Sequence, residues 1–292
     1  MERVIQTETD DLSVKRSRSM SSGLWSVEEK REINIRTNDD IEGCFITGSC
    51  IIPSGEILLA DYNNKKLKKL DNMYNVRCVC DLSHIPYDVC YVRDNVAVVS
   101  LSWKKLQFVD TTHSMTLLKS IDTDHECLGL VCHGDQMYVR DCYGSVYSYS
   151  TDGIKQQMIY LISRNESFLF NYYIFNNTSP ITVSNDGSKL YLPGLNELVT
   201  IDNNGNHLFT LNNEDINFKC GVCVDDEGFV YVNDMNWNII KISEDGRTIL
   251  QVITNLSNLT GGRSRTLTFD RKNKALIEAG WSDTIIVLKL RK

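Results

Sequence analysis

The stretch ILLADYNNKKLKKLD, residues 57–71, shows the unit from which this chain is built. An apolar strand stops at Asp61, the chain turns through Tyr62 and two asparagines, and a Lys/Leu strand runs on to Asp71. Segments of the same shape return five more times, mostly about 40 residues apart. That period is typical of β-propeller blades, each of which is a small four-stranded sheet.

The repeats share one internal order of strands and turns. A short apolar strand leads into a turn rich in Gly, Asp or Asn, and a second strand, a polar turn and a third strand follow. Another turn, such as Asp152-Gly153, precedes the fourth strand, since Gly and Asn allow the positive φ of tight hairpins. The pattern therefore predicts an all-β, six-bladed β-propeller. Its blades are expected near 43–82, 84–123, 125–162, 178–213, 218–256 and 264–290.

The ring needs a strand from outside the sixth repeat, which ends after three strands. The segment REINIRT, 31–37, is the remaining strand-like stretch, and its Ile33 and Ile35 alternate with polar residues as in a half-buried strand. We predict that this segment pairs with 284–290, completes the last blade and covers a sheet edge.

Composition and charge exclude several classes of function. The 292 residues carry a net charge of -7, which disfavours nonspecific binding to DNA or other nucleic acid. No apolar run approaches the roughly 20 residues of a bilayer span, and the charged N-terminus lacks a signal-peptide core. We expect a cytoplasmic, monomeric propeller over 30–292, no membrane contact, a flexible polar linker over 1–29, and an insertion at 163–177.

The repeat GVCVDDEGFVYVNDMNWNIIKIS, 221–243, resembles an NHL repeat. It has small and apolar residues in alternation before Asp, a Gly turn, an aromatic strand ending in Asp, and then Asn. The resemblance covers about 31–292, although Ser100, Gly194 and Gly280 replace the second-strand Asp in three repeats. NHL propellers often end tripartite-motif (TRIM-type) ubiquitin ligases, where they bind proteins or RNA.

The resemblance implies a protein-interaction scaffold, the substrate- or partner-recognition domain of a TRIM-NHL-like ubiquitin ligase. Such a domain is not itself an enzyme and needs no cofactor or metal, because ligase activity would lie in a RING domain that has no pattern here. Two alternatives stay open. One is an RNA-binding NHL propeller, and the other is a calcium-dependent lactonase or esterase with the same fold.

The lactonase alternative requires oxygen ligands where the innermost strands begin around the axis. Only Asp88 is a carboxylate among the aligned positions, so calcium would be underligated. The recurrent Asp61, Asp141 and Asp234 are expected instead to accept backbone N–H bonds in the turns that they begin. The aligned positions are Gly48, Asp88, Gly129, Pro180, Gly221 and Thr266.

The ten cysteines are expected to be reduced and mostly buried, because the chain is long and has no signal peptide. Cys220 and Cys223 form Cys-x-x-Cys, but no second pair follows at zinc-ligand spacing. Cys223 aligns with Cys50 and Cys90 on the innermost strands, which favours packing over metal binding. No serine or cysteine lies in a nucleophile-elbow context.

What remains is a surface on which five of the six blades carry an aromatic residue at the loop between the second and third strands. Exposed aromatic rings are enriched in binding hot spots. Paired lysines follow two of these rings, which favours an acidic peptide or protein, or RNA held by stacking and phosphate contacts. The predicted partner-binding residues are Tyr62, Lys65, Lys66, Trp103, Lys104, Lys105, Tyr143, Trp237 and Trp281.

Overall fold

The computed structural model describes residues 25–161, 180–194, 196–214, 216, 218, 221–234, 238–253 and 264–291. Within these residues, 24 strands form six antiparallel sheets of four strands, with no helix. The innermost strands contact one another in turn, and that of the sixth sheet returns to that of the first. The predicted six-bladed β-propeller is therefore confirmed.

Each blade runs from its innermost to its outermost strand in chain order, except the last. Blade one contains β2 (Ile46–Ile51), β3 (Ile57–Asp61), β4 (Lys66–Leu70) and β5 (Val76–Asp81). Blade two contains β6 (Pro86–Arg93), β7 (Val96–Leu101), β8 (Lys105–Asp110) and β9 (Thr116–Asp122). Blade three contains β10 (Gly129–His133), β11 (Gln136–Arg140), β12 (Val146–Ser150) and β13 (Lys155–Tyr160).

The other three blades follow the same plan. Blade four contains β14 (Thr182–Val183), β15 (Lys189–Pro193), β16 (Glu197–Asp202) and β17 (His207–Asn212). Blade five contains β18 (Val222–Val224), β19 (Val230–Asn233), β20 (Ile239–Ile242) and β21 (Ile249–Ile253). Blade six contains β22 (Ser264–Asp270), β23 (Ala275–Gly280), β24 (Thr284–Arg291) and, from the other end of the chain, β1 (Ser26–Asn34).

The N-terminal strand closes the ring as expected, but with different bounds. β1 pairs antiparallel with β24, from Ser26 opposite Arg291 to Asn34 opposite Thr284. Residues 26–29 thus lie in the sheet rather than in a linker, and the strand ends before 35–37. The sequence SVEEK looked like linker because an outermost strand can keep many charged side chains in water. The expected insertion at 163–177 lies outside the described residues.

The hydrophobic core lies between neighbouring blades. Alternate residues of an innermost strand face the preceding and the following blade, because strand side chains alternate. In blade three, Val131 packs toward blade four, whereas Cys132 packs toward blade two. The cluster between blades six and one includes the fully buried Ile35, which fixes the chain segment just after β1.

The upper face of the ring is the side on which each first strand begins and each second strand turns into the third. These points share one side because neighbouring strands are antiparallel. A single bridge between Phe45 and Trp281 joins blades one and six on this face. Nowhere in the described residues does the structure contain a helix that could cross a bilayer.

Candidate functional site

A channel of about 690 Å³ lies where the six innermost strands converge. Thr47, Asp88 and Arg265 line it near the upper face, and Ser54 and Lys272 line it near the lower loops. All six blades contribute to its wall. A cavity of this size can hold a small molecule, which makes it the first place to look for a binding site.

Asp88 is the carboxylate that lines the upper part of this channel among the described residues. One carboxylate oxygen accepts the N–H of Val89 and the other accepts the N–H of Leu130 on the next blade, both at 2.8 Å. On its other side lies Gly48, where a Cβ would lie only 2.5 Å from the Asp88 Cα. The carboxylate is therefore held rigidly between three blades.

The pKa of Asp88 is raised from 3.8 to about 7. Burial is the dominant cause, since removing the group from water disfavours its charged form, and the two backbone N–H groups oppose the shift only in part. Asp88 is half-buried rather than fully buried, and it lines the channel, so the channel connects it to water. A carboxyl group with this pKa can exchange a proton near neutral pH, which is what a general acid or base requires.

Hydroxyl groups line the channel beside the sixth blade. The Ser49 hydroxyl lies 2.6 Å from that of Thr266 and 2.5 Å from that of Thr268. Thr268 also donates to the Ser49 carbonyl at 3.2 Å. These bonds join blades one and six at the axis and give the channel wall polar groups that a ligand can contact.

An aromatic row lies on the upper face beside the channel. The Phe45 ring stacks on Trp281 with centroids 4.8 Å apart and contacts Tyr62 at 5.3 Å. Tyr62 in turn contacts Tyr87 at 6.1 Å, and Tyr87 directly precedes Asp88. The sequence identified Tyr62 and Trp281 but missed Phe45 and Tyr87. Phe45 directly precedes β2 and Tyr87 lies near the start of β6. Both are therefore at the upper end of an innermost strand, a position that the repeat pattern could have indicated.

The structure describes two of the three other predicted aromatic residues, Trp103 and Tyr143. Trp103 is 79% exposed and has His84 beside it, with ring centroids 6.1 Å apart. Tyr143 is also exposed, on blade three. Trp237 lies outside the described residues. The structure thus brings Tyr62 and Trp281 together, each in contact with Phe45, whereas Trp103 and Tyr143 are exposed on blades two and three.

The predicted lysines have different environments. Lys65 and Lys104 are exposed, whereas the Lys66 ammonium is buried and pairs with Asp40 at 3.0 Å. Lys105 is half-buried and pairs with Asp122. Only part of the predicted basic sector therefore offers exposed charge, because neighbouring carboxylates that were distant in the sequence neutralise the rest.

Lys68 lies in a fully buried ionic cluster outside the channel. Its ammonium contacts Asp40 at 2.6 Å, Asp61 at 2.9 Å and the Cys44 sulfur at 3.1 Å. Burial would raise the pKa of Asp40, but hydrogen bonds from Lys68, the Thr37 backbone and Lys66 hold it well below its usual range. Asp40, Cys44 and Asp61 have metal-ligand spacing, yet the Lys68 ammonium already supplies their cation.

The recurrent second-strand aspartates act as turn caps, as the sequence predicted. Asp141 accepts the N–H groups of Tyr143 at 2.9 Å and Ser145 at 2.8 Å. Asp234 accepts the N–H of Asn238 at 2.8 Å. Asp61 accepts the N–H of Phe45 at 3.2 Å and also pairs with Lys68. These carboxylates hold loops of the upper face and do not line the channel.

The Cys-x-x-Cys motif lies only partly within the described residues. Cys220 falls outside them, whereas Cys223 is buried and packs toward blade six. Burial raises the pKa of the Cys223 thiol well above its ordinary value. This environment agrees with the predicted packing role, since a buried neutral thiol is neither a good nucleophile nor a good metal ligand.

No protein-family model and no curated protein matches this chain. Among solved structures, virginiamycin B lyase from Staphylococcus aureus has a TM-score of 0.63 and 12% identity, over 90% of this chain and 99% of that one. A streptogramin B lyase has a TM-score of 0.62 and 13% identity, over 90% and 98%. A catalytically inactive histidine-to-alanine variant of the Staphylococcus aureus enzyme with quinupristin has a TM-score of 0.64 and 13% identity, over 90% and 99%.

These matches contradict two expectations from the sequence. The chain was expected to be a ubiquitin-ligase recognition scaffold and not an enzyme, but the three solved propellers named above are lyases, so both expectations are wrong. The matches support the six-bladed propeller, and they support neither NHL repeats nor RNA binding. At this low identity the likeness itself establishes the fold alone. The NHL pattern misled because short strands and Asp or Gly turns recur in propellers of many functions.

Proposed function

We propose that this chain is an enzyme that opens an ester or lactone linkage in a small molecule bound at the upper end of the channel. The observation that carries the proposal is Asp88, a rigidly held carboxyl group that lines the channel with its pKa raised to about 7. The reaction class is favoured by the lyase propellers that share the fold. Free thiols at nine described cysteines suit a reducing compartment, and we place the enzyme in the cytoplasm.

Asp88 acts as the general base. In its charged form it takes a proton from a carbon of the substrate, and the electrons of that C–H bond form a carbon–carbon double bond. The C–O bond to the ester oxygen breaks at the same time, and the oxygen leaves as part of a carboxylate. The proton passes from Asp88 to water through the channel, which restores the base.

The proposed proton-transfer group is a carboxyl, and no histidine lines the channel among the described residues. The inactive variant of the Staphylococcus aureus enzyme shows that a histidine is essential in that protein. This chain therefore shares the fold but not that choice of residue. A carboxylate whose pKa is raised is a stronger base than an ordinary aspartate. Burial therefore gives Asp88 part of the basicity that a histidine would have.

The aromatic row is proposed to hold the substrate rather than a protein partner. Phe45, Tyr62, Tyr87 and Trp281 are mutually packed, and Tyr87 adjoins Asp88 in the chain. Pre-packed rings lose little entropy on binding, and the exposed Trp281 with the half-buried Tyr62 and Tyr87 offers apolar surface beside the buried Phe45. A ligand lying on these rings would extend into the upper end of the channel to reach Asp88, since Asp88 lines the channel and the four rings do not.

Calcium does not fit the upper part of the channel. A calcium ion takes six to eight oxygen ligands, and Asp88 is the carboxylate that the described residues place there. Both of its oxygens already accept backbone N–H groups. The proposed mechanism therefore includes no step through calcium. It shares with the lactonase alternative only the type of bond that is opened, an ester or lactone.

Turnover of quinupristin and of a panel of simple lactones and alkyl esters tests the proposal, with products identified by mass spectrometry. Each member of the panel carries a hydrogen on the carbon next to the one that bears the ester oxygen, as the elimination requires. We expect ring opening or cleavage without added water, so that the mass of an opened ring equals that of the substrate. A product heavier by one water would show hydrolysis and contradict the elimination step.

Asp88→Asn is expected to lower kcat at least about 100-fold, since general-base catalysis is typically worth that much. Asp39→Asn is the matched control, because Asp39 is exposed on the upper side of blade one and away from the channel. Equal turnover by wild type and a folded Asp88→Asn variant, or no turnover of any member of the panel by wild type, would reject the proposal.

A further inference from the structure

Two thiols meet inside the channel at the seam between blades two and three. The sulfur of Cys90 on β6 lies 3.0 Å from the sulfur of Cys132 on β10. Both residues line the channel, and both are free thiols. No part of the Asp88 chemistry uses this pair.

The pairing follows from how the innermost strands pack. Asp88 reaches across the seam to the N–H of Leu130 at 2.8 Å. These strands run in the same direction, so two residues further along each one, Cys90 faces Cys132. The sequence alignment matched Cys90 with Val131, which faces blade four instead, and so the partner across the seam was missed.

The same level of the ring contains other thiols without this arrangement. Cys50 packs in the seam between blades one and two with Tyr91, and Cys223 packs in the seam between blades five and six with Phe269. Within the described residues, one inner seam thus places two sulfurs in contact.

We propose that Cys90 and Cys132 form a reversible disulfide when a peroxide enters the channel, and that this bond links blades two and three. Cys132 is the more exposed thiol, and its thiolate attacks a peroxide oxygen. The O–O bond breaks, which leaves a sulfenic acid on Cys132 and releases water. The Cys90 sulfur then attacks the Cys132 sulfur, the S–O bond breaks, and a second water leaves.

The reaction balances without a further partner. The two thiols lose two electrons and two protons, and hydrogen peroxide is reduced to two waters. The sulfurs need to approach by about 1 Å to reach the usual S–S length, which a small shift of two neighbouring strands provides. The hydrogen bond with the Cys132 sulfur, together with burial and the nearby Cys50 and Asp88, raises the pKa of the Cys90 thiol well above its ordinary value. We therefore expect the second step to be slow at neutral pH and faster at higher pH.

Peptide mapping of the full chain tests this site. The protein is treated with hydrogen peroxide, alkylated, digested without reductant and analysed by mass spectrometry. We expect one pair of peptides joined through Cys90 and Cys132, lighter by two hydrogens than the separate peptides and separated again by dithiothreitol. In Cys90→Ser, a sulfenic acid at Cys132 should accumulate and be trapped by dimedone.

Matched variants separate this pair from the other channel thiols. Cys50→Ser and Cys223→Ser should leave the yield of the joined peptides unchanged, whereas Cys132→Ser should abolish it. A joined pair that uses Cys50, or conversion of Cys132 to sulfinic acid with no joined peptides in the wild type, would overturn the proposal. Neither result depends on whether Asp88 catalyses any reaction.

Discussion

Replacing Asp88 with asparagine should change how the free energy of unfolding depends on pH. Because the pKa of Asp88 is higher in the folded state than in the unfolded chain, the folded state binds the proton more tightly. The stability that this proton confers is fully present below the ordinary pKa of 3.8 and is lost as pH rises through about 7. An asparagine side chain has no such proton to lose, so the Asp88→Asn variant lacks this decline.

The size of the effect follows from the shift. The pKa moves from 3.8 to about 7, and each unit corresponds to about 1.4 kcal/mol. The free energy of unfolding of the wild type should therefore fall relative to that of Asp88→Asn by up to about 4 kcal/mol between roughly pH 4 and pH 8. The variant also carries a constant cost, since its amide can accept only one of the N–H groups of Val89 and Leu130.

Urea unfolding of both proteins at several pH values between about 4 and 8 measures this difference, because all other titrating groups cancel in the comparison. Asp39→Asn serves as the control and should follow the wild type at every pH. A difference between wild type and Asp88→Asn that stays constant across this range would contradict the raised pKa. It would mean that the carboxyl is already charged at the acid end.

Three further changes test the packing that supports the site, each by thermal and urea unfolding. Lys68→Met should cost about 3–5 kcal/mol, because it removes the buried ammonium shared by Asp61 and Asp40 and leaves Asp40 with Lys66 alone. Lys104→Met, at an exposed position, should stay within about 0.5 kcal/mol, and equal losses in the two variants would contradict a stabilising role for the Lys68 cluster. Ile35→Ala should lower the free energy of unfolding by about 2–4 kcal/mol, because Ile35 is fully buried where the ring closes. A loss below about 1 kcal/mol would contradict a stabilising role of Ile35 in ring closure. Gly48→Ala should destabilise the ring by about 1–3 kcal/mol, since the alanine Cβ would meet the Asp88 backbone. An unchanged unfolding midpoint would show that β2 and β6 can move apart to admit the methyl group.

Much of the fold could be predicted because a blade is a local object. Hairpin turns such as Asp152-Gly153, strand alternation and a period near 40 residues together determine the blades. The closing strand could be inferred by counting, since the sixth repeat lacked one strand. Its start at Ser26 could not, because an outermost strand tolerates charged residues that look like linker.

The site was harder to predict because it depends on contacts between blades. The sequence showed Asp88 as the one carboxylate among the aligned positions, which is not enough for calcium. The raised pKa of Asp88 could not be seen, because it comes from burial that only the assembled ring provides. Lys66 looked like one of a pair of exposed lysines, and its partner Asp40 lies in the loop before blade one. Cys132 was missed because it faces backward across a seam, one residue beyond the aligned column.

Family resemblance was the weakest guide to function. The NHL-like spacing of Gly221 to Ser243 reflects strand length and turn chemistry, which any propeller blade of this size requires. The proposed activity depends instead on the few residues at the axis, and the NHL pattern does not include Asp88. For this reason the residue that the repeat alignment treated as an exception became the centre of the proposed site.

Whether Asp88 acts as a base at the upper end of the channel is decided by the pH dependence of kcat/KM on a cleaved lactone or ester. We expect kcat/KM of the wild type to rise with pH and to reach half its maximum near pH 7, where Asp88 loses its proton. A rise centred near pH 4, or the same rise in a folded Asp88→Asn variant, would show that another group is the base.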